Sequence, residues 1–172
     1  MPFYRLRPAR SEDADAIATV WYAGWRDGHL GNVPEALVAV RTPESFQVRA
    51  AARIADTVVA DTVVADPGDV VSGEVGGGIA GFVTVVDDEA EQVYVAYEHR
   101  GSGVAQQLLA EAERLIATAG HRRAWLAVAD GNARARRFYA RCGWTDDGMF
   151  DYRVEVQGGT AILAVRRYVK AL

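Results

Sequence analysis

The hydrophobic patterning of this chain predicts a mixed α/β (α+β) fold. Segments that alternate apolar and polar residues are interleaved with segments of helical period, and no shift in composition divides the chain. Hydrophobic residues make up 50% of the 172 positions and charged residues 24%, a balance that argues against disorder. The length fits one domain, residues 1–172, large enough to bury a core without staples.

Residues 3–7, Phe-Tyr-Arg-Leu-Arg, alternate as an opening strand does. Ser11 offers a cap to the next segment, with Glu12 and Asp13 in its first turn. Ile17, Val20, Trp21 and Trp25 then share one helical stripe, which ends near Gly28 or Gly31. Thr42-Pro43-Glu44 opens a second helix with proline at its first position, followed by Phe46, Val48 or Ala52, and Ile54. Residues 56–66 run through Asp-Thr-Val-Val-Ala twice. An odd repeat sends its two copies to opposite faces of a strand, so a strand with a bulge or an extended end is expected. Pro67-Gly68-Asp69 and Gly76-Gly77-Gly78 read as turns. Strands at 79–86 and 92–96 flank an acidic turn, Asp87-Asp88-Glu89. Val104, Leu108, Leu109, Ala112, Leu115 and Ile116 make one face of a third helix, which Gly120 ends. A strand at 124–128 precedes an arginine-rich helix at 132–141, stopped by Gly143. Strands at 149–156 and 160–169 close the chain as a hairpin around Gly158-Gly159. The predicted order is therefore β-α-α-β-β-β-α-β-α-β-β.

A net charge of −4 gives no general attraction to nucleic acid or to anionic lipid. A single cysteine, Cys142, excludes an internal disulfide framework, and His29, His99 and His121 are scattered, so no metal is expected. The first residues have no apolar signal core, and no apolar run approaches membrane-spanning length, which points to the cytoplasm and to no membrane partner.

The most informative stretch is Val93-Tyr94-Val95-Ala96-Tyr97-Glu98-His99-Arg100-Gly101-Ser102-Gly103-Val104-Ala105-Gln106. A strand runs into a glycine-bearing loop and then into a helix, whose first turn offers free N–H groups and a positive dipole end. Such a loop suits a phosphate or pyrophosphate, and it also serves simply as a tight strand-to-helix turn. Gly103-Val104-Ala105 lacks the Lys-Ser/Thr of a Walker loop, and Gln106 stands where a dinucleotide fingerprint needs a small residue. The second constellation is Asn132-Ala133-Arg134-Ala135-Arg136-Arg137-Phe138-Tyr139-Ala140-Arg141-Cys142-Gly143-Trp144. Ala135, Phe138 and Tyr139 share a face there, and Tyr139 reads either as a core tyrosine or as a phenol placed for chemistry.

Together the two segments resemble the GNAT superfamily of acyl-CoA-dependent N-acyltransferases. Val93 to Ala105 is similar to its pyrophosphate string Leu-Tyr-Val-x-Pro-x-x-Arg-Gly-x-Gly-Val-Gly, and Asn132 to Trp144 to its Asn-x-x-Ala-x-x-Phe-Tyr-x-x-x-Gly-Phe string. Glu98 departs from the usual Gln or Arg, Tyr97 replaces the common proline, and Trp144 stands for phenylalanine. The resemblance implies a mostly antiparallel twisted sheet of about seven strands, splayed between the fourth and fifth and flanked by about four helices. It implies acetyl-CoA as co-substrate, with its arm along the free edge of Val93, Tyr94 and Val95 and its pyrophosphate on the N–H groups of Arg100, Gly101, Ser102, Gly103, Val104 and Ala105. Asn132 would contact the arm, and Tyr139 would serve as general acid to the leaving thiolate. Glu89 or Glu91 would take the proton of the amine, directly or through water. Trp21 and Trp25, from the first helix, would wall the acceptor pocket, and Arg137 would be the arginine that reaches the 3′-phosphate. The implied partner is a small-molecule or peptide amine, with no nucleic acid and no metal, in a monomer or homodimer. A non-catalytic acyl-CoA-binding module, a transferase of another acyl group and a nucleotide-binding regulator fit the same residues.

Overall fold

The computed structural model describes residues 3–63, 78–156 and 158–172. One seven-stranded sheet has the order β1-β2-β3-β4-β5-β7-β6. Its strands are β1 (Phe3–Pro8), β2 (Thr57–Val63), β3 (Ile79–Val86), β4 (Glu89–Val95), β5 (Arg123–Ala129), β6 (Thr145–Val156) and β7 (Gly159–Ala171). All neighbours pair antiparallel except β4 and β5, which run parallel. The helices are α1 (Ala14–His29), α2 (Glu35–Val40), α3 (Pro43–Ala52), α4 (Val104–Thr118) and α5 (Ala133–Arg141).

The sheet is covered on both faces. On one face α4 buries Val104, Leu108, Leu109, Ala112 and Ile116 against Val58, Ala60, Val83 and Leu126. On the other, α1 and α3 bury Ile17, Trp21, Trp25 and Phe46 against Val59, Phe82, Leu163 and Val165. Adjacent residues of β2, Val58 and Val59, thus feed opposite cores, as a period of two requires. The expected bulge in this repeat sits between Ala60 and Asp61. The rest of the repeat beyond Val63, with the turns at 67–69 and 76–77, lies outside the described residues.

Several boundaries differ from expectation for local reasons. Ser11 is not the cap of α1; residues Ser11–Asp13 form a 3-10 turn, and the Asp13 carboxylate accepts the Arg10 N–H at 2.7 Å. α2 was not expected, because six residues carry too little periodicity to read, and of these it buries Leu37. In α3 the buried residues are Phe46 and Ala50, while Val48 is 71% exposed. The inward stripe therefore runs Phe46, Arg49 and Ala50, with a cation half-buried between the two buried residues. The hairpin between β3 and β4 turns on Asp87 and Asp88 alone, with Asp87 at φ +53°, and Glu89 is already in the strand opposite Val86. β6 begins at Thr145 and carries an irregularity between Asp146 and Met149 that hides its alternation.

Asp13 ties β1 to the start of α1. Its carboxylate receives both Nη groups of Arg7, at 2.7 and 2.9 Å, in a setting where its side chain is only 9% exposed. The hydrogen bonds from Arg7 hold its pKa below the ordinary 3.8. That contribution to stability is complete above the ordinary value and is lost as pH falls through the lowered folded value. Asp13→Asn is expected to cost roughly 1.5–3 kcal/mol at neutral pH. It should also flatten the acid limb of the stability curve below about pH 4. Denaturant melts of both proteins across pH 2–7 check this; parallel acid limbs would refute it.

Candidate active site

The site begins with a failure of strand pairing. β4 and β5 meet at one bridge, Glu89 opposite Trp125, and then part. Asp88 fastens the joined end twice: its carbonyl accepts the Trp125 N–H at 3.0 Å, and its carboxylate accepts the indole Nε1–H at 2.9 Å. Beyond that pin, the β5 side of Gln92, Val93, Tyr94 and Val95 has no strand partner, although their other edge pairs fully with β3. Unpaired backbone groups of this kind recruit an extended ligand.

A cleft of about 650 Å³ runs through the gap. One end is the loop between β4 and α4. Gly101 (φ +80°) and Gly103 (φ +89°) hold left-handed conformations there, and a Cβ on either would meet nothing within 4 Å. Among the described residues, the N–H groups of Gly101, Gly103 and Ala105 have no protein acceptor, and all three residues line the cleft. Ser102 closes the loop instead, its hydroxyl donating to the His99 carbonyl at 2.6 Å. The residues present fit a pyrophosphate: free donors, a helix N-terminus and glycine backbone that leaves room for it.

The other end holds the titratable groups. Thr84 pairs with Gln92 and Val85 with Ala90, so Glu91 is an extra residue, a bulge in β4. The bulge resets the alternation and brings Glu89 to the same face as Tyr94, under α1 and α3. Glu89 accepts the Tyr152 hydroxyl at 3.3 Å. Burial, then the negative Glu91, push its pKa up to about 7, and the bond from Tyr152 acts against them. Glu91 is engaged: Arg53 Nε and Nη2 both bind its carboxylate at 3.1 Å. Tyr139 lines the cleft from α5, and burial raises its phenol above the ordinary value. Cys142 is held up by burial too, so its thiol stays protonated at neutral pH.

The expected residues divide clearly. Glu89, Glu91, Val93, Tyr94, Val95, Arg100, Gly101, Gly103, Ala105, Asn132, Tyr139 and Trp25 all line the cleft. Ser102 and Val104 do not; Val104 faces the α4 core. Trp21 does not line it either; it is 2% exposed and packs on Phe46 and Phe82 with ring centroids 5.4 and 5.8 Å away. Asn132 caps α5 by accepting the Ala135 N–H at 3.2 Å, and Arg100 is tied to Asp27 of α1 at 2.6 Å. Arg137 is exposed and off the cleft, whereas Arg134 and Arg141 line it. Sequence reasoning missed His29, Arg41, Arg49 and Tyr152. His29 stacks on Trp25 at 5.0 Å and donates Nδ1–H to the Trp25 carbonyl at 2.9 Å, and burial lowers its pKa, leaving a neutral ring. For Arg49 a signal existed: a cation three residues after Phe46 on a buried stripe. Arg41 and Tyr152 belong to no motif.

Comparison with known proteins identifies the fold and the family. The model of the Acetyltransferase (GNAT) family matches residues 36–144, more than half of the chain. A protein of Mycobacterium tuberculosis named an uncharacterized N-acetyltransferase is 30% identical over 98 residues, which are 54% of this chain and 63% of that protein. The chain thus spans less than two-thirds of the curated relatives it matches. Among solved structures, a GCN5-related N-acetyltransferase of Rhodopseudomonas palustris superposes with a TM-score of 0.68 at 23% identity, covering 100% of this chain and 98% of that one. The PaiA N-acetyltransferase of Thermoplasma acidophilum, solved in complex with coenzyme A, gives 0.61 at 17% identity and covers 99% of both chains. Those two likenesses establish the fold, and the match of the family model over more than half of its length establishes that this chain belongs to the GNAT acetyltransferase family.

Proposed function

We propose that this protein transfers the acetyl group of acetyl-CoA to an amine by direct attack. The observation that carries this reading is the parting of β4 from β5, which joins a phosphate-suited loop to a carboxylate of raised pKa through one continuous cleft. When bound, acetyl-CoA supplies an activated acetyl thioester. The free edge at Val93 to Val95 holds its extended arm, and the donors of Gly101, Gly103 and Ala105 hold its phosphates. Glu89 takes the proton of the incoming ammonium, the form an amine of pKa near 10 adopts at neutral pH. We assign the base to Glu89 rather than Glu91, whose two oxygens are engaged by Arg53. Tyr139 is protonated at neutral pH, because burial raises its phenol above the ordinary value, and it is the proton donor at the thiol end. Positioning in the cleft supplies much of the remaining acceleration. Soluble cytoplasmic action fits a chain in which, among the described residues, no helix is long and apolar enough to cross a membrane.

Acetyl-CoA and CoA at about 100 times Kd should each stabilise the protein by about 2.7 kcal/mol in thermal unfolding, while NAD and ATP should not. Equal shifts with all four would favour a general nucleotide binder. The rate should rise with pH through a midpoint near 7, the value at which Glu89 loses its proton. Glu89→Gln should remove that limb and cost about 10²–10⁴-fold in kcat. Tyr152→Phe should move the midpoint upward, because it deletes a bond that favours the ionised carboxylate. A midpoint that does not move in Tyr152→Phe would count against Glu89 as the titrating group. Tyr139→Phe should lower kcat by about 10²-fold with little change in the KM for acetyl-CoA. Unchanged turnover would remove Tyr139 from the chemistry.

A further inference from the structure

Two arginines face the cleft on the α1–α3 side, and among the described residues neither is in an ion pair. Arg41 follows α2 and Arg49 lies on the buried stripe of α3, and both line the cleft. Among the described residues, neither has a carboxylate within 4.0 Å. The nearest acidic neighbour of Arg49 is Glu91, whose carboxylate is already bidentate to Arg53. Arg49 Nε is buried without a hydrogen-bond partner, and its guanidinium lies over the Trp21 ring at 4.8 Å. The positive charge of Arg49 acts on Arg41, and both feel the Tyr94 hydroxyl. Burial pushes Arg41 down to about 10 and lowers Arg49 as well, and a guanidinium is a cation at neutral pH.

Two like charges held together in a desolvated space oppose folding unless something anionic joins them. The phosphates of the co-substrate belong to the glycine loop between β4 and α4, whose free N–H groups already offer them donors. A guanidinium fork matches a carboxylate in two-point geometry. Beside these charged groups the cleft also has apolar lining from Trp25, Val33, Leu37, Val154 and Leu163. We propose that Arg41 and Arg49 form a carboxylate-binding subsite and that the acceptor is an amino acid with an apolar side chain. The inference rests on the transferase reading above and adds the acceptor class to it. The arginines hold the carboxylate, and Glu89 takes one proton from the ammonium. The freed nitrogen forms a C–N bond to the acetyl carbon as the C–S bond breaks; Tyr139 gives its proton to the departing thiolate, and the second proton that the acylated nitrogen sheds restores Tyr139. An amine without an anion would meet two unbalanced positive charges in the same space.

The test measures CoA release with acetyl-CoA and three matched series: leucine, methionine, phenylalanine and tryptophan; their amides; and their decarboxylated amines. Wild type should favour the acids over the amides by roughly 10- to 100-fold in kcat/KM. In Arg41→Gln and Arg49→Gln that ratio should fall towards unity, and Arg49→Lys should retain part of it. Should Arg49→Gln fail to fold, Arg41→Gln and Arg49→Lys carry the comparison. Acids no better than amides would overturn the subsite, as would a preference that survives in the arginine variants. No turnover of any acid also overturns it. Stabilisation by acetyl-CoA in the same samples, together with turnover of the amides or amines, then shows whether the transferase reading stands without it.

Discussion

Everything functional in this molecule depends on one incomplete strand pairing. β4 and β5 run parallel, meet at Glu89 and Trp125, and separate. Backbone groups left without a ladder must find partners, and in a protein interior that demand is worth more than most side-chain contacts. Asp88 makes the separation definite by clamping Trp125 through both main chain and indole. Without that clamp the strands would have no fixed point from which to diverge. With it, the gap has a closed end and an open end, and the two ends receive different chemistry.

The closed end is made polar by a single extra residue. The bulge at Glu91 turns Glu89 toward the α1–α3 face, where Tyr152 from the C-terminal hairpin meets it. A regular strand would have placed Glu89 with Val93 and Val95, under α4. The same face collects Arg49 from the inward stripe of α3 and Arg41 from the end of α2. The open end is shaped by backbone instead: two left-handed glycines and the first turn of α4 present donors without side chains. One cleft thus has a main-chain half and a side-chain half. The first suits a phosphate-bearing arm common to a whole family, and the second is where members of one fold diverge.

How much of this was legible before the structure follows from how local each signal is. The strand-loop-helix at 93–106 and the helix at 132–144 are continuous segments, so their patterns survive in one dimension. The apolar face of α4 was read correctly because a fifteen-residue helix repeats its period several times. α2 was not, since it has barely more than one turn. The stripe of α3 was misread at Val48, because burial there follows what lies beneath the helix and tolerates arginine over an aromatic ring. Glu89 and Glu91 look equivalent in an acidic run, yet Arg53 occupies one and leaves the other free. Trp21 and Trp25 likewise sit one helical turn apart and part company, one in the core and one on the cleft.

The sequence by itself determined the element order apart from α2, the glycine loop and the helix that presents Tyr139, because each is written in neighbouring residues through period, turn chemistry and capping, and the resemblance those segments carry implied the seven-strand sheet. Only the tertiary structure decided which acid is free, which tryptophan faces the cleft, and that Arg41, Arg49 and Tyr152 share a space with Glu89. Those residues come from α2, α3, β4 and β6, separated by up to about a hundred positions, and they meet through sheet order and a one-residue bulge. Charge and burial act through distance in space, and that distance does not exist until the sheet has formed.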